Sequence, residues 1–118
     1  MAIIASGYMV YVAIKAQETL KGLGIKAALV DAYSFPLNPQ PILAAGRKAS
    51  GKVLTLEDNY IGGLASNVAE IAAEAGNVKV HSLYVRRIPK SGKTPEDLLT
   101  YCGLNADNVV TAAKKLIG

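Results

Sequence analysis

The sequence predicts an α/β domain in which a mostly parallel sheet carries helices on both faces. Short apolar runs that suit buried strands alternate with longer segments whose apolar residues recur at helical spacing. This alternation is typical of parallel strands joined by helical crossovers. Apolar residues make up 51% and charged residues 19% of the 118 residues, which indicates one globular domain and argues against disorder.

Four strands are predicted, at residues 2–6, 25–32, 52–56 and 78–85, the last as one strand or a strand pair. The run from Ala27 to Val30 is apolar, which predicts that the second strand is buried on both faces. The first strand begins at residue 2 with no lead-in, so we expect a further segment before it.

Five helices are predicted from apolar periodicity and from the residues at their ends. Asn38, Thr94 and Asn105 are predicted N-caps, and a proline follows each of the first two at the first helical position. The residues predicted to face the core are Met9, Ala13, Ala16, Leu20 and Leu23 in the first helix, Leu64, Val68, Ile71, Ala72 and Ala75 in the third, and Val109, Val110, Ala113, Leu116 and Ile117 in the last.

The turn after the third strand is the first candidate site, and it consists of Glu57, Asp58, Asn59, Tyr60, Ile61, Gly62 and Gly63. Gly62 and Gly63 open a helix, so free backbone N–H groups there could hold an anion; alternatively, the glycines only allow close helix–strand packing. Glu57 and Asp58 could form a carboxylate pair for acid–base or metal chemistry. Adjacent residues that leave a strand point apart, which favours turn capping instead.

The second candidate is a basic loop at 86–93, which contains the cations Arg86, Arg87, Lys90 and Lys93 and no acid. The other nine cations balance the nine acids, so this loop accounts for the net charge of +4. One basic loop indicates an anion site, a subunit contact or a solvated loop, whereas a nucleic-acid surface would be basic throughout. The loop ends like a phosphate-binding P-loop, but Arg87 stands where that motif needs its first glycine, so we exclude it.

The remaining reactive residues do not define a site. Cys102 is the only cysteine, so it forms no internal disulfide and suits a reducing, cytoplasmic compartment. His81 is the only histidine, and one cysteine with one histidine cannot make a zinc site. They could act as nucleophile and base only if the fold brought them together. No apolar run reaches the roughly 18 residues of a membrane span, and no secretion signal is present.

Three stretches of the chain resemble the C-terminal domain of transketolase. Residues 56–64 resemble that family's Glu-Asp-His and Gly-Gly signature. Residues 81–93 are similar to its last strand and to the loop that follows, in which Arg, Val or Ile, Pro and a basic residue precede Ser-Gly-Lys. Residues 30–37 resemble the segment after its second strand. The resemblance covers about residues 2–116. The chain departs from the family at Asn59, where histidine is usual, and at Asn38, where aspartate is usual. Tyr8 and Met9 also replace the Ser-Glu pair that is common after the first glycine in many relatives.

The resemblance implies a three-layer α/β/α sandwich with a mixed five-stranded sheet, in which the first strand is antiparallel to the others. It also implies that residues 1–118 form the third domain of a cytoplasmic thiamine diphosphate enzyme of the pentose phosphate pathway. Such an enzyme transfers a two-carbon ketol unit between sugar phosphates, and its first two domains bind thiamine diphosphate and magnesium. The expected partners are therefore N-terminal transketolase domains or a separate subunit, in a homodimer or larger assembly, and neither nucleic acid nor membrane.

For this chain, the resemblance implies dimer packing and carries over no catalytic residue, bound cofactor or metal ligand. The candidates are an interface or anion loop, Glu57, Asp58, Asn59, Gly62 and Gly63, and a basic contact loop, Arg86, Arg87, Lys90 and Lys93. Two alternatives remain open: a stand-alone module that binds a phosphorylated small molecule, and the equivalent domain of a deoxyxylulose-phosphate synthase or a 2-oxo acid dehydrogenase β subunit. The basic loop argues against the second.

Overall fold

The computed structural model describes residues 1–32, 38–58, 63–86 and 94–118. In those ranges, four strands and five helices follow the predicted order. They are β1 (Ala2–Ala5), α1 (Met9–Gly22), β2 (Ala28–Asp31), α2 (Pro39–Lys48), β3 (Lys52–Leu56), α3 (Leu64–Ala75), β4 (Lys79–Leu83), α4 (Pro95–Cys102) and α5 (Ala106–Ile117). No helix within these ranges has both the length and the apolar character needed to cross a membrane.

The four described strands form one parallel sheet in the order β2-β1-β3-β4. Strand β1 is central: Ile4 lies opposite Val30 of β2 on one side and opposite Thr55 of β3 on the other. The expected five-stranded mixed sheet, with its first strand antiparallel, is therefore wrong for the described residues. A helix connects each of these strands to the next one in the chain. Such helical crossovers leave successive strands parallel.

The sheet separates two apolar cores, which confirms the three-layer sandwich. Ile3 and Ala5 of β1 belong to the core under α1 and α5, whereas Ala2 and Ile4 belong to the core under α2 and α3. Successive side chains of a strand point to opposite faces, so one buried strand supplies both cores. All four residues of β1 are fully buried.

Three burial predictions fail at the ends and edges of elements. Ala75 was predicted to face the core but is exposed, because it is the last residue of α3. Strand β2 is not buried on both faces, because it lies at an edge of the sheet; Ala28 and Asp31 are exposed. Leu23 is 53% exposed rather than part of the apolar face, because α1 ends at Gly22. The segment at 78–85 forms the single strand β4 in the described residues, and not a strand pair.

The three predicted N-caps are confirmed by their hydrogen bonds. The side chains of Asn38, Thr94 and Asn105 each accept a hydrogen bond from a backbone N–H two or three residues ahead. Gly76 and Gly103 follow α3 and α4 in the left-handed conformation, with φ of 80° and 73°. Local side-chain chemistry therefore decides where these helices begin and end.

One buried hydroxyl has no hydrogen-bond partner in the described part of the chain, namely Oγ1 of Thr55 in β3. Thr55 is fully buried, so its hydroxyl has lost its hydrogen bonds to water and forms none with the described residues. We expect Thr55→Val to raise the free energy of unfolding by about 1 kcal/mol, because valine keeps the shape and removes the unpaired group. Urea unfolding followed by circular dichroism measures the change.

The matched control for Thr55→Val is Thr111→Val on the exposed side of α5. The hydroxyl of Thr111 donates to the carbonyl of Asp107, one turn back, and remains exposed. We expect this exposed change to stay within about 0.5 kcal/mol of the wild type. A loss of stability in Thr55→Val larger than in Thr111→Val would contradict the assignment of Thr55 as an unpaired group.

The amino group of Met1 gives this fold a pH dependence in a chain that begins there. It donates to the carbonyl of Lys26, and burial, followed by the charge of Lys52, lowers its pKa below 8.0. The folded state therefore binds this proton less tightly than the unfolded chain does. Protonation of this group therefore lowers the free energy of unfolding. The loss is complete at pH values below the pKa of the folded state, and it disappears as the pH rises past about 8.

We therefore expect the free energy of unfolding to rise more between about pH 7 and about pH 9 in the free chain than in an N-acetylated chain. Acetylation removes the titrating group and leaves all others in place, so the difference between the two chains isolates Met1. Urea unfolding at both pH values measures it. Equal pH dependence in the two chains would refute the contribution of the amino group.

Candidate functional site

The central turn is organised by one buried carboxylate. Glu57 follows β3 directly and is only 1% exposed. Its Oε2 accepts a hydrogen bond from the N–H of Leu64, and its Oε1 accepts one from the N–H of Ala65, both at 2.9 Å. These donors are at the start of α3, where N–H groups lack partners within the helix and the helix dipole favours negative charge. Glu57 therefore caps α3 from the end of the neighbouring strand.

Gly63 permits this close approach. A Cβ atom built on Gly63 would lie 2.7 Å from Oε2 of Glu57, which is shorter than a normal contact. The carbonyl of Gly63 also accepts a hydrogen bond from Nδ2 of Asn67 at 2.8 Å, so the same residue is fixed from the helix side. The absence of a side chain at Gly63 thus allows α3 and β3 to pack closely.

The capping carboxylate bears directly on the anion hypothesis for this turn. The N–H groups of Leu64 and Ala65 already donate to Glu57, so an external anion would have to displace an internal one to use them. Asn59 and Gly62 lie outside the described residues. An anion or interface role for the turn as a whole therefore stays a prediction.

Glu57 and Asp58 point to different environments, as adjacent residues leaving a strand are expected to do. Glu57 is buried under α3, whereas Asp58 is exposed. Asp58 lines an apolar cleft beside α4, here called the α4 cleft. Its volume is about 320 Å³. Glu57 therefore caps the helix that follows the turn and does not share a carboxylate site with Asp58. The described residues lining the α4 cleft are Tyr8, Asp58, Val85, Pro95, Leu98, Leu99, Cys102 and Leu104.

The α4 cleft lies at the carboxyl ends of β1, β3 and β4, the edge at which open parallel sheets place ligands. From β1 the chain moves to β2 on one side and then returns to β3 on the other, so β1 and β3 flank the switch point of the sheet. The cleft was not predicted from the sequence, because its apolar residues come from segments that are far apart in the chain.

Arg86 is the one cation of the predicted basic loop within the described ranges. Its guanidinium carbon lies 4.4 Å from the centre of the Tyr84 ring, and its Nη2 donates to the carbonyl of Ser82 at 3.2 Å. The side chain is exposed, so its charge faces solvent beside the end of β4. Arg87, Lys90 and Lys93 lie outside the described residues, and the contact role of the loop stays a prediction.

His81 and Cys102 do not share a site. Cys102 is half-buried and lines the α4 cleft. His81 is exposed on the edge strand β4 and is not among the residues that line this cleft. The fold thus supplies no observation in favour of a nucleophile and base formed by these two residues.

The described residues do not fit a thiamine diphosphate or magnesium site. A metal-bound diphosphate needs several oxygen ligands close together, and no group of three or more His, Cys, Asp or Glu residues in the described ranges could hold a metal ion. The buried carboxylate of Glu57 is already used by the helix, and Asp58 faces an apolar cleft. We therefore assign no step of a cofactor reaction to these residues.

Three exposed large apolar residues at the start of α1 and along it were not identified from the sequence. Tyr8 is 46%, Tyr11 66% and Ile14 39% exposed, and the rings of the two tyrosines are 5.9 Å apart. The available signal was their spacing: Tyr8, Tyr11 and Ile14 repeat every three residues on a face that does not include the core residues of the helix.

The comparisons with known proteins agree with one another. The family described as "Transketolase, C-terminal domain" matches residues 1–109. Transketolase of Rattus norvegicus is 34% identical over 99% of this chain, which aligns with 19% of that protein. Transketolase-like protein 1 of Macaca fascicularis is 30% identical over 99% of this chain and 20% of its own length. The chain thus spans about one fifth of these curated relatives.

Solved structures give the same result. A chain of a split-gene transketolase, described as an inactive β4 tetramer, superposes with a TM-score of 0.89 and 35% identity, covering 98% of this chain and 38% of that chain. Transketolase from Campylobacter jejuni superposes with a TM-score of 0.71 over 97% of this chain and 16% of its own, and at 17% identity it supports the fold alone. The chain therefore belongs to the transketolase C-terminal domain family.

Proposed function

We propose that residues 1–118 act as the C-terminal domain or subunit of a cytoplasmic transketolase and support its assembly without a catalytic site of their own. The observation that carries this proposal is the similarity to a split-gene transketolase chain that is described as inactive and tetrameric. That protein is inactive in the assembly described, which supports an expectation of no activity for this chain alone.

The complete enzyme would combine this chain with N-terminal domains or a separate subunit that binds thiamine diphosphate and magnesium. When bound, the cofactor supplies the carbanion chemistry that moves a two-carbon ketol unit between sugar phosphates of the pentose phosphate pathway. The fold of this chain supports a structural role. Its buried carboxylate caps α3, and an exposed aromatic face on α1 is available for contact.

The two alternatives have less support. A stand-alone module for a phosphorylated ligand would need donors at the start of α3, and Glu57 occupies the N–H groups of Leu64 and Ala65. A domain from a deoxyxylulose-phosphate synthase or a 2-oxo acid dehydrogenase is less favoured, because the curated relatives described above are transketolases and a transketolase-like protein.

The test is a transketolase assay with thiamine diphosphate, magnesium, a ketose phosphate donor and an aldose phosphate acceptor. We expect no turnover by this chain alone. We expect turnover to appear or to rise when the chain is mixed with the matching N-terminal portion, because an assembly domain acts by completing the enzyme.

An unrelated α/β protein of similar size, added at the same concentration, controls for non-specific stabilisation. A fully active N-terminal portion that neither binds nor responds to this chain would contradict the proposal. Saturable binding of a sugar phosphate to this chain, measured by calorimetry in the same case, would favour the ligand-binding alternative.

A further inference from the structure

We propose that the amino ends of the strands form a basic docking surface for a carboxylate-rich segment of a protein partner. This surface, the basic edge, consists of Met1, Lys26, Lys52 and Lys79. The partner proposed is the N-terminal portion of the enzyme, so the inference deepens the function proposed above and rests on it.

The first observation is a row of positive charges that follows the order of the strands. Lys26 lies just before β2, Lys52 begins β3 and Lys79 begins β4, while Met1 precedes β1. The amino group of Met1 donates a hydrogen bond to the carbonyl of Lys26 at 3.2 Å, which places these two segments side by side. Because the sheet order is β2-β1-β3-β4, the row along this edge runs from Lys26 through Met1 and Lys52 to Lys79.

The second observation is that the fold places like charges next to each other. Lys52 and Lys79 are direct register partners in β3 and β4, and like charges in that position destabilise a sheet. The Nζ of Lys52 donates to the carbonyl of Ile117, an uncharged acceptor, so its positive charge is not cancelled there. After burial, the charge of Lys52 is the second cause that lowers the pKa of the Met1 amino group, so its field reaches the neighbouring strand. An anionic partner would relieve this repulsion.

The third observation is that the helices add positive charge beside the basic edge. Helices α1, α2 and α5 end there, and their last turns carry the cations Lys21, Arg47, Lys48, Lys114 and Lys115. A helix C-terminus carries about half a negative charge, so one or two cations in each last turn exceed it. Glu18, Glu74 and a carboxylate at Gly118 are the negative charges nearest to this edge, and they are fewer than the cations. Of the cations in the described ranges, only Lys15 and Arg86 lie elsewhere.

Two features favour a protein segment over a nucleic acid as the occupant. In the described part of the chain, this edge has no aromatic ring on which a base could stack. Its cations are lysines apart from Arg47, whereas arginine is the residue that matches a phosphate with two parallel hydrogen bonds. Carboxylates on a polypeptide are therefore the anions that suit this surface best.

The position of the basic edge indicates which protein would cover it. In a relative that carries this family as its C-terminal domain, the preceding domains join the chain at the amino end of the strand that aligns with β1. In this chain that end lies within the basic edge, beside Met1. The N-terminal portion is thus the partner placed to contact this surface.

The experiment is isothermal titration calorimetry of the 118-residue chain with poly-L-glutamate at several salt concentrations, with circular dichroism to confirm the folding of each variant. We expect binding that weakens as the salt concentration rises, because exposed charges are screened. Lys26→Glu and Lys79→Glu should each weaken it at least about fivefold, since each puts a negative charge into the row. Lys15→Glu is the matched control: Lys15 is also exposed but lies halfway along α1, so the affinity should change less than about twofold.

Three results would overturn the proposal. One is an equal loss of affinity in Lys79→Glu and Lys15→Glu. Another is loss of binding in an Arg86→Glu and Arg87→Glu double variant with no effect of Lys79→Glu, which would assign the polyanion to the basic loop at 86–93. A third is tighter binding of single-stranded oligothymidylate or of phosphatidylserine vesicles than of poly-L-glutamate at equal charge, which would assign the edge to a nucleic acid or a membrane.

Calorimetry with the matching N-terminal portion separates this inference from the proposed function. We expect Lys79→Glu to bind that portion more weakly than Lys15→Glu does. If mixing restores turnover and the two variants bind equally well, the transketolase role stands and the docking surface is refuted. If no turnover appears while poly-L-glutamate binding still depends on Lys79, the transketolase role fails and the basic edge remains a site for carboxylate-rich segments.

Discussion

Glu57→Ala is expected to lower the free energy of unfolding by about 3 kcal/mol, which is a large part of the stability of a small domain. The substitution leaves the N–H groups of Leu64 and Ala65 without their acceptor at a buried helix end. It also removes the negative charge that suits the start of α3 and leaves a cavity under the helix. Urea unfolding followed by circular dichroism measures the change.

Two variants sharpen this prediction. Glu57→Gln keeps one acceptor oxygen but turns an amide donor towards the other N–H, so we expect a smaller loss of about 2 kcal/mol. Glu70→Gln makes the same chemical change on the exposed face of α3 and should stay within about 0.5 kcal/mol of the wild type. A stability for Glu57→Ala that equals that of Glu70→Gln would disprove the capping role.

Gly63→Ala provides a second test of the same contact. A new Cβ would lie 2.7 Å from Oε2 of Glu57, so the carboxylate must move away from the helix. The cost of Gly63→Ala should therefore fall when Glu57 has already been replaced by alanine, because the group that it displaces is gone. A double-mutant cycle detects this as a coupling energy, and strictly additive effects would count against the contact.

Gly51→Ala is expected to lower the free energy of unfolding by about 3 kcal/mol. Gly51 has a φ of 75°, a conformation that an L-residue enters only with strain. A Cβ there would lie 2.6 Å from the carbonyl oxygen of Asn77, a backbone atom that cannot rotate aside. The backbone N–H of Lys79 donates to the carbonyl of Gly51, so any shift would also disturb the start of β4. Urea unfolding measures the loss.

Gly76→Ala separates the two causes. Gly76 has a φ of 80°, but a Cβ at this position would have no heavy atom within 4 Å beyond its chain neighbours, so alanine there meets only the backbone strain. We expect it to cost about 1 kcal/mol, well below the cost of Gly51→Ala. Equal losses at the two positions would show that the contact with Asn77 contributes nothing.

Much of the secondary structure was predictable, because it depends on neighbours in the chain. The bounds of β3 were predicted as Lys52–Leu56 and are confirmed. The caps at Asn38, Thr94 and Asn105 were also predicted, since a cap needs only a suitable side chain and a backbone N–H two or three residues away. The family was recognisable as well, since the 56–64 and 81–93 segments lie in one chain at a fixed separation.

Features that depend on strand pairing could be determined only from the tertiary structure. Ala28 is exposed because β2 lies at an edge of the sheet, and the order of strands is set by contacts between distant segments. Glu57 could equally have faced a ligand on sequence grounds; its burial against Leu64 and Ala65 follows from where α3 begins relative to the end of β3.

Long-range packing also explains why the exposed face on α1 was not predicted. Periodicity identified Met9, Ala13 and Ala16 as core residues, and all three are buried. It could not show that the opposite side, with Tyr11, lies next to a cleft formed by α4, because α4 comes three strands and two helices later in the chain. The sequence by itself determined the elements and the family, whereas long-range packing determined which surfaces are left for a partner.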